Sequence, residues 1–185
     1  AKPQVLTLPN GLTLFRILLT PFCVYFLFKD HDQVILWKWL AWSGFFLIGL
    51  TDILDGKLAR ARGELSELGA LLDPIADKIA IGAALISLSI LQIIWWWVTI
   101  VIMVREIAVT VLRLAVIKNG VIPASKGGKL KTLTQGFAIG FYVAPWPSWL
   151  IWPRAILMAA AIGLTVITGI DYFYQAWRLN GGKKS

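Results

Sequence analysis

Residues 52–78 read DILDGKLARARGELSELGALLDPIADK, and this stretch decides what kind of chain the sequence encodes. It holds four aspartates, Asp52, Asp55, Asp73 and Asp77. The first pair is spaced i, i+3 and the second i, i+4, and on a helix either spacing sets both carboxylates on one face. Apolar runs flank the stretch, AWSGFFLIGLT at 41–51 and IAIGAALISLSIL at 79–91. A carboxylate at bilayer depth costs about 2.5–3.5 kcal/mol on insertion scales. Clustered carboxylates also repel one another, and bound divalent metal is the compensation such a cluster calls for.

The rest of the composition agrees with an apolar setting. Of 185 residues, 58% are hydrophobic and 15% charged, whereas soluble domains are about 45–50% apolar. Six apolar stretches follow one another, near 10–29, 34–61, 68–92, 95–118, 129–149 and 153–177. Most reach the roughly 20 residues that about 30 Å of hydrocarbon requires, and none alternates at the period of a strand. The expected fold is an all-α integral membrane protein of six transmembrane helices, one domain over residues 1–185. Residues 1–9, punctuated by Pro3 and Pro9, read as a short interfacial segment. AKPQVLTLPNG lacks the basic, apolar and small-residue order of a cleavable signal peptide. The single Cys23 excludes an internal disulfide and a cysteine metal site. His31, in the polar turn FKDHDQ, reads as a surface histidine, and the GGKKS tail as unstructured. A net charge of +8 on so apolar a chain points to anionic lipid or phosphorylated substrates and away from nucleic acid.

Two signals set the orientation. With six spans, Lys2, Lys57, Arg60, Arg62, Lys118, Lys126, Lys129, Lys131, Arg178, Lys183 and Lys184 fall at or near one side, and Lys29, Lys38 and Arg154 at the other. The basic side is then cytoplasmic. Tryptophans at 37, 39 and 42, at 95–97, and at 146, 149 and 152 gather at the three opposite turns, and tryptophan favours the headgroup interface. The aspartate stretch falls at the cytoplasmic ends of the second and third spans, a hairpin joined by RGELSE.

Carboxylate oxygens are hard ligands that suit Mg2+, Mn2+ or Ca2+. Four on two facing helices have the donors for two ions about 3.5–4 Å apart, a clamp for a phosphoryl group. Gly56 and Gly69 remove bulk beside Asp55 and Asp73, either for a ligand or for helix packing. Arg60 offers a charge-assisted contact to phosphate. Pro74 has two readings, an internal kink or a first turn capped by Asp73.

Asp52-x-x-Asp55-Gly56-x-x-Ala59-Arg60, then eight residues, then Gly69-x-x-x-Asp73-x-x-x-Asp77, resembles the CDP-alcohol phosphotransferase signature at each defined position. The resemblance implies a six-helix membrane enzyme, a homodimer, with its active site at the cytoplasmic face. Such enzymes displace CMP from a CDP-linked lipid or alcohol with the hydroxyl of a second substrate. It makes Asp52, Asp55, Asp73 and Asp77 ligands of two divalent cations, Mg2+ or Mn2+. Asp77 is also the general base, and Gly56, Ala59, Arg60 and Gly69 lie along the CDP group.

The acceptor is read from a second set of residues. Arg105 and Glu106 lie inside the fourth apolar span, and Arg113 follows Arg105 by eight residues, about two turns. Lys126, Lys129 and Lys131 open the fifth span, where a helix N-terminus favours anions. Together these residues suit an acceptor that carries a phosphate. The lysines alone also fit a topogenic basic loop. PNGLTLFR, REIAVTVLR and SKGGKLKT resemble the phosphatidylglycerophosphate synthase branch of the same family. That implies CDP-diacylglycerol and sn-glycerol 3-phosphate as substrates and a bacterial cytoplasmic membrane as location. An inositol phosphate acceptor is the alternative within the family. Outside it, buried acids also mark ion-coupled transporters and aspartyl intramembrane proteases. A transporter places its acids near the midplane, often on repeats, and a protease dyad needs only two.

Overall fold

The computed structural model describes residues 8–29, 34–62, 67–116 and 126–181. Six α-helices account for nearly all of them: α1 (Leu8–Lys29), α2 (Ile35–Arg62), α3 (Glu67–Ile90), α4 (Trp96–Val116), α5 (Lys126–Val143) and α6 (Ile151–Gly181). A single 3-10 turn, Ser148–Leu150, precedes α6, and no strand occurs among the described residues. Each of the six expected helices is present. Of the expected interfacial segment 1–9, Leu8 and Pro9 belong to α1 instead; its first seven residues, His31, the centre of the RGELSE turn and the last four residues of the tail lie outside the described residues. Among the described residues, two segments are long and apolar enough to cross a membrane, Gly11–Lys29 and Ser148–Arg178.

Two further details differ from the expectation. α5 stops at Val143, six residues short of the apolar run, because Pro145 and Pro147 push the residues before them out of the helical region. Pro74 lies inside α3, which begins at Glu67, so Asp73 does not cap a helix start.

The chain divides into two compact units, one of Ala1–Ile94 with Tyr142–Trp146 and one of Trp95–Phe141 with Pro147–Ser185. In the first, α1 packs against both α2 and α3. Cys23, Ile48 and Ala80 form its buried core, with Leu19 and Phe45 around them. Gly44 sets the approach of α1 and α2, since a Cβ there would collide with Cys23 Sγ. Small residues of this kind let helices close where lipid removes the hydrophobic drive to pack. Where α1 gives way to α2, Phe26 stacks on Trp37 with centroids 5.7 Å apart, and Lys29 Nζ lies 4.3 Å from the Trp37 ring. Trp39 meets Trp42 and Trp146 edge-on.

α3 ends without a glycine. Gln92 takes φ 57°, the left-handed region, so that the Ile93 N–H reaches back to the Leu88 carbonyl at 2.9 Å. This is the closing turn that glycine usually supplies, and a side chain there carries a conformational cost.

In the second unit α4 packs against α6. α4 is inverted relative to a soluble helix. Ile100, Val104, Ile107, Val111 and Leu114 form an outward stripe, each 54–61% exposed, while Glu106 is 3% exposed beside Ile102 and Val109. Aliphatic residues outside and a carboxylate inside suit a lipid surround.

Candidate active site

α2 carries Asp52, Asp55, Gly56, Ala59 and Arg60 in its last turns, and α3 carries Gly69, Asp73 and Asp77 in its first turns. The two helices pack together, and both rest on α1. The acidic residues therefore lie on two helices that touch each other. The side chains of Asp55, Ala59, Arg60 and Asp73, and the surroundings of Gly56 and Gly69, lie outside the described residues. Asp52 and Asp77 are described, both part-exposed.

Asp52 is tied to α1. Arg16 Nη1 donates to Asp52 Oδ1 at 2.5 Å, with the Arg16 side chain 1% exposed and Asp52 42% exposed. Arg16 Nη2 also donates to Thr13 Oγ1 at 3.3 Å, and the Thr20 hydroxyl donates to the Arg16 carbonyl at 2.8 Å. Reasoning from the acidic stretch alone did not bring Arg16 into the site. The available signal was an arginine in mid-run, LTLFRILLT, which at bilayer depth requires an anion.

The donor set fits a hard divalent cation. It is all carboxylate oxygen, and Asp52 holds Arg16 with Oδ1 alone, leaving Oδ2 on a part-exposed side chain. Among the described residues no three acidic, histidine or cysteine side chains gather, as two of the four aspartate side chains are not among them.

The basic residues expected to take the acceptor belong to the second unit. Glu106 Oε1 accepts from Arg105 Nη1 at 3.1 Å and from Lys131 Nζ. Lys131 is 6% exposed. Arg105 is fixed further by α6, with Nε donating to the Thr165 carbonyl at 3.0 Å and Nη2 to Thr168 Oγ1 at 2.8 Å. Gly169 makes room for it, since a Cβ there would meet Arg105 Cγ at 3.1 Å. Arg105, Glu106 and Lys131 by themselves sum to one positive charge. A guanidinium has five N–H groups, so two on Arg105 stay available. Arg113 stands apart from this cluster, exposed, with its guanidinium carbon 5.6 Å from the Tyr172 ring. The side chains of Lys126 and Lys129 lie outside the described residues. Glu106, noted in sequence only as a deep acid, is the residue that joins Arg105 to Lys131.

The profile of the CDP-alcohol phosphatidyltransferase family matches residues 6–167, and the chain belongs to that family. It is 49% identical over 181 residues to a probable phosphatidylglycerophosphate synthase of Mycobacterium tuberculosis, covering 98% of this chain and 87% of that protein. It is 36% identical over 183 residues to the CDP-diacylglycerol–glycerol-3-phosphate 3-phosphatidyltransferase of Bacillus subtilis, covering 92% and 95%. The Haemophilus influenzae protein of the same name is 35% identical over 174 residues, covering 91% and 92%.

Proposed function

We infer that the chain transfers the phosphatidyl group of CDP-diacylglycerol to sn-glycerol 3-phosphate, giving phosphatidylglycerophosphate and CMP. The observation that carries this is the 49% identity, over 98% of the chain, to a relative named for that product. The acidic hairpin and the net-positive Arg105–Glu106–Lys131 cluster supply chemistry that suits both substrates.

In this reading Asp77 takes the proton of the acceptor's primary hydroxyl. The oxygen attacks the lipid-side phosphorus, the bond from that phosphorus to the bridging oxygen breaks, and CMP leaves with the electron pair. Asp52, Asp55, Asp73 and Asp77 would hold two divalent cations, Mg2+ or Mn2+, which supply charge neutralisation at the pyrophosphate when bound. Arg60 adds a charge-assisted contact there. Gly56, Ala59 and Gly69 keep that part of the hairpin small, so the CDP group can lie against it. Arg105 and Lys131, oriented by Glu106, take the acceptor phosphate, with Arg113, Lys126 and Lys129 adding to the field that attracts it.

The same reading makes the chain one bacterial inner-membrane domain of six spans, with the acidic hairpin at the cytoplasmic face, acting as a homodimer. The lysine and arginine asymmetry and the outward aliphatic stripe of α4 support the membrane setting.

The test is CMP release by the purified protein from CDP-diacylglycerol with sn-glycerol 3-phosphate, inositol phosphate, inositol or serine in turn. Turnover is expected with glycerol 3-phosphate. Faster turnover with any other acceptor overturns the assignment.

A further inference from the structure

Gln135 is 1% exposed, and neither its Oε1 nor its Nε2 has a hydrogen-bond partner among the described residues. Leaving both ends of a buried amide unmet is costly, and nearly all buried polar atoms in folded proteins are met. Lys131 lies one helical turn earlier on α5, so the two side chains share a face with Cβ atoms about 5–6 Å apart. Both belong to the buried stripe Lys131, Gln135, Ala138 and Ile139. The polar end of that stripe meets Glu106, which also holds Arg105. The amide therefore sits in register beside the cluster assigned above to the acceptor phosphate.

The chemistry of the amide narrows what fills it. It offers an acceptor at Oε1 and two donors at Nε2. A phosphate oxygen would use only the donors, and an ammonium only the acceptor. A hydroxyl both donates and accepts, so it can answer either end.

We propose that Gln135 is a specificity-determining residue that hydrogen-bonds the secondary hydroxyl of the acceptor, so that a polyol phosphate is chosen over a simple hydroxyalkyl phosphate. This rests on the glycerol 3-phosphate reading and adds a named contact to it. A three-carbon polyol phosphate spans about one helical turn, the offset between Lys131 and Gln135.

The experiment compares sn-glycerol 3-phosphate with 3-hydroxypropyl phosphate, which keeps the attacking hydroxyl and the phosphate and lacks the secondary hydroxyl. Acceptor kcat/KM is measured at saturating CDP-diacylglycerol for wild type, Gln135→Met and Gln135→Asn. The wild type is expected to prefer glycerol 3-phosphate by about 10- to 100-fold. Gln135→Met, of similar length without the amide, should reduce the preference to within about threefold, and Gln135→Asn should fall between. The ratio is taken on one preparation, so loss of folded protein cancels. A wild-type preference below about threefold, or an unchanged preference in Gln135→Met, overturns the role of Gln135 alone and leaves a water or a packing role. A wild type that uses neither acceptor overturns the glycerol 3-phosphate reading and this inference with it.

Discussion

Arg16 Nη1 and Asp52 Oδ1 stand 2.5 Å apart and join α1 to α2 across 36 residues. The dependence is unequal. Arg16 is buried, whereas Asp52 is part-exposed and reaches water without it. Asp52 thus has a structural duty to Arg16 beside its proposed duty to a metal, and substitutions can separate the two. Asp52→Asn keeps an oxygen that accepts from Arg16, so it should fold and lose most activity. Asp52→Ala removes the carboxylate that Arg16 Nη1 donates to and should also lose about 1.5–3 kcal/mol of stability. Thermal unfolding in detergent compares the two variants. Equal melting would refute a structural role for the pair.

Chelation bears on the carboxylates as a group. EDTA should stop CMP release, and Mg2+ or Mn2+ should restore it, because four acids around a pyrophosphate repel the substrate unless cations intervene. Asp73→Asn should imitate EDTA and resist rescue by added metal. Normal turnover in EDTA would end the two-cation proposal.

Glu106 is expected to be the most stability-sensitive residue of the cationic cluster. It and Lys131 are both buried, so Glu106→Gln breaks a buried ion pair, at a cost of about 3–5 kcal/mol. Adding Lys131→Met should return part of that loss, a non-additivity that a double-mutant cycle measures. In otherwise intact protein, Lys131→Met should lower acceptor kcat/KM by about 10- to 100-fold and spare the KM for CDP-diacylglycerol. Arg113→Ala should cost less, under about tenfold, because Arg113 is exposed beside Tyr172.

The turn after α3 offers a stabilising change. Gln92→Gly should raise stability by about 1 kcal/mol, since glycine takes φ 57° freely, and Gln92→Val should lower it. Unfolding midpoints of the two variants should move in opposite directions.

Sidedness can be read with thiol reagents. Cys23 is 1% exposed beneath Gly44, so the native chain should label slowly. A cysteine replacing Ser66 should react from the cytoplasm and one replacing Ser148 from the other face. Reaction of both from one face would overturn the six-span arrangement.

The helices were legible because apolar runs of bilayer length leave few alternatives, and with them the placing of Asp52 on α2 and Asp77 on α3. α5 is shorter than its apolar run because Pro145 and Pro147 end the helix within it. The contacts of Arg16 were not legible. A buried charge announces that it needs a partner, but not that the partner is Asp52 on another helix. The same holds for Glu106 and Lys131, which lie 25 residues apart. Gln135 sits in TLTQG, where nothing in the local pattern separates a buried amide from an exposed one.

The links from Arg105 to Thr165 and Thr168 have a consequence for biosynthesis. Its partners are made 60 and 63 residues later. At roughly 5–20 residues per second, that delay is about 3–13 seconds. If α4 enters the lipid on emergence, it does so with Glu106 as its near companion and α6 still unmade. The neighbouring acid then serves as a temporary counter-ion during translation, until the last helix arrives to take the guanidinium.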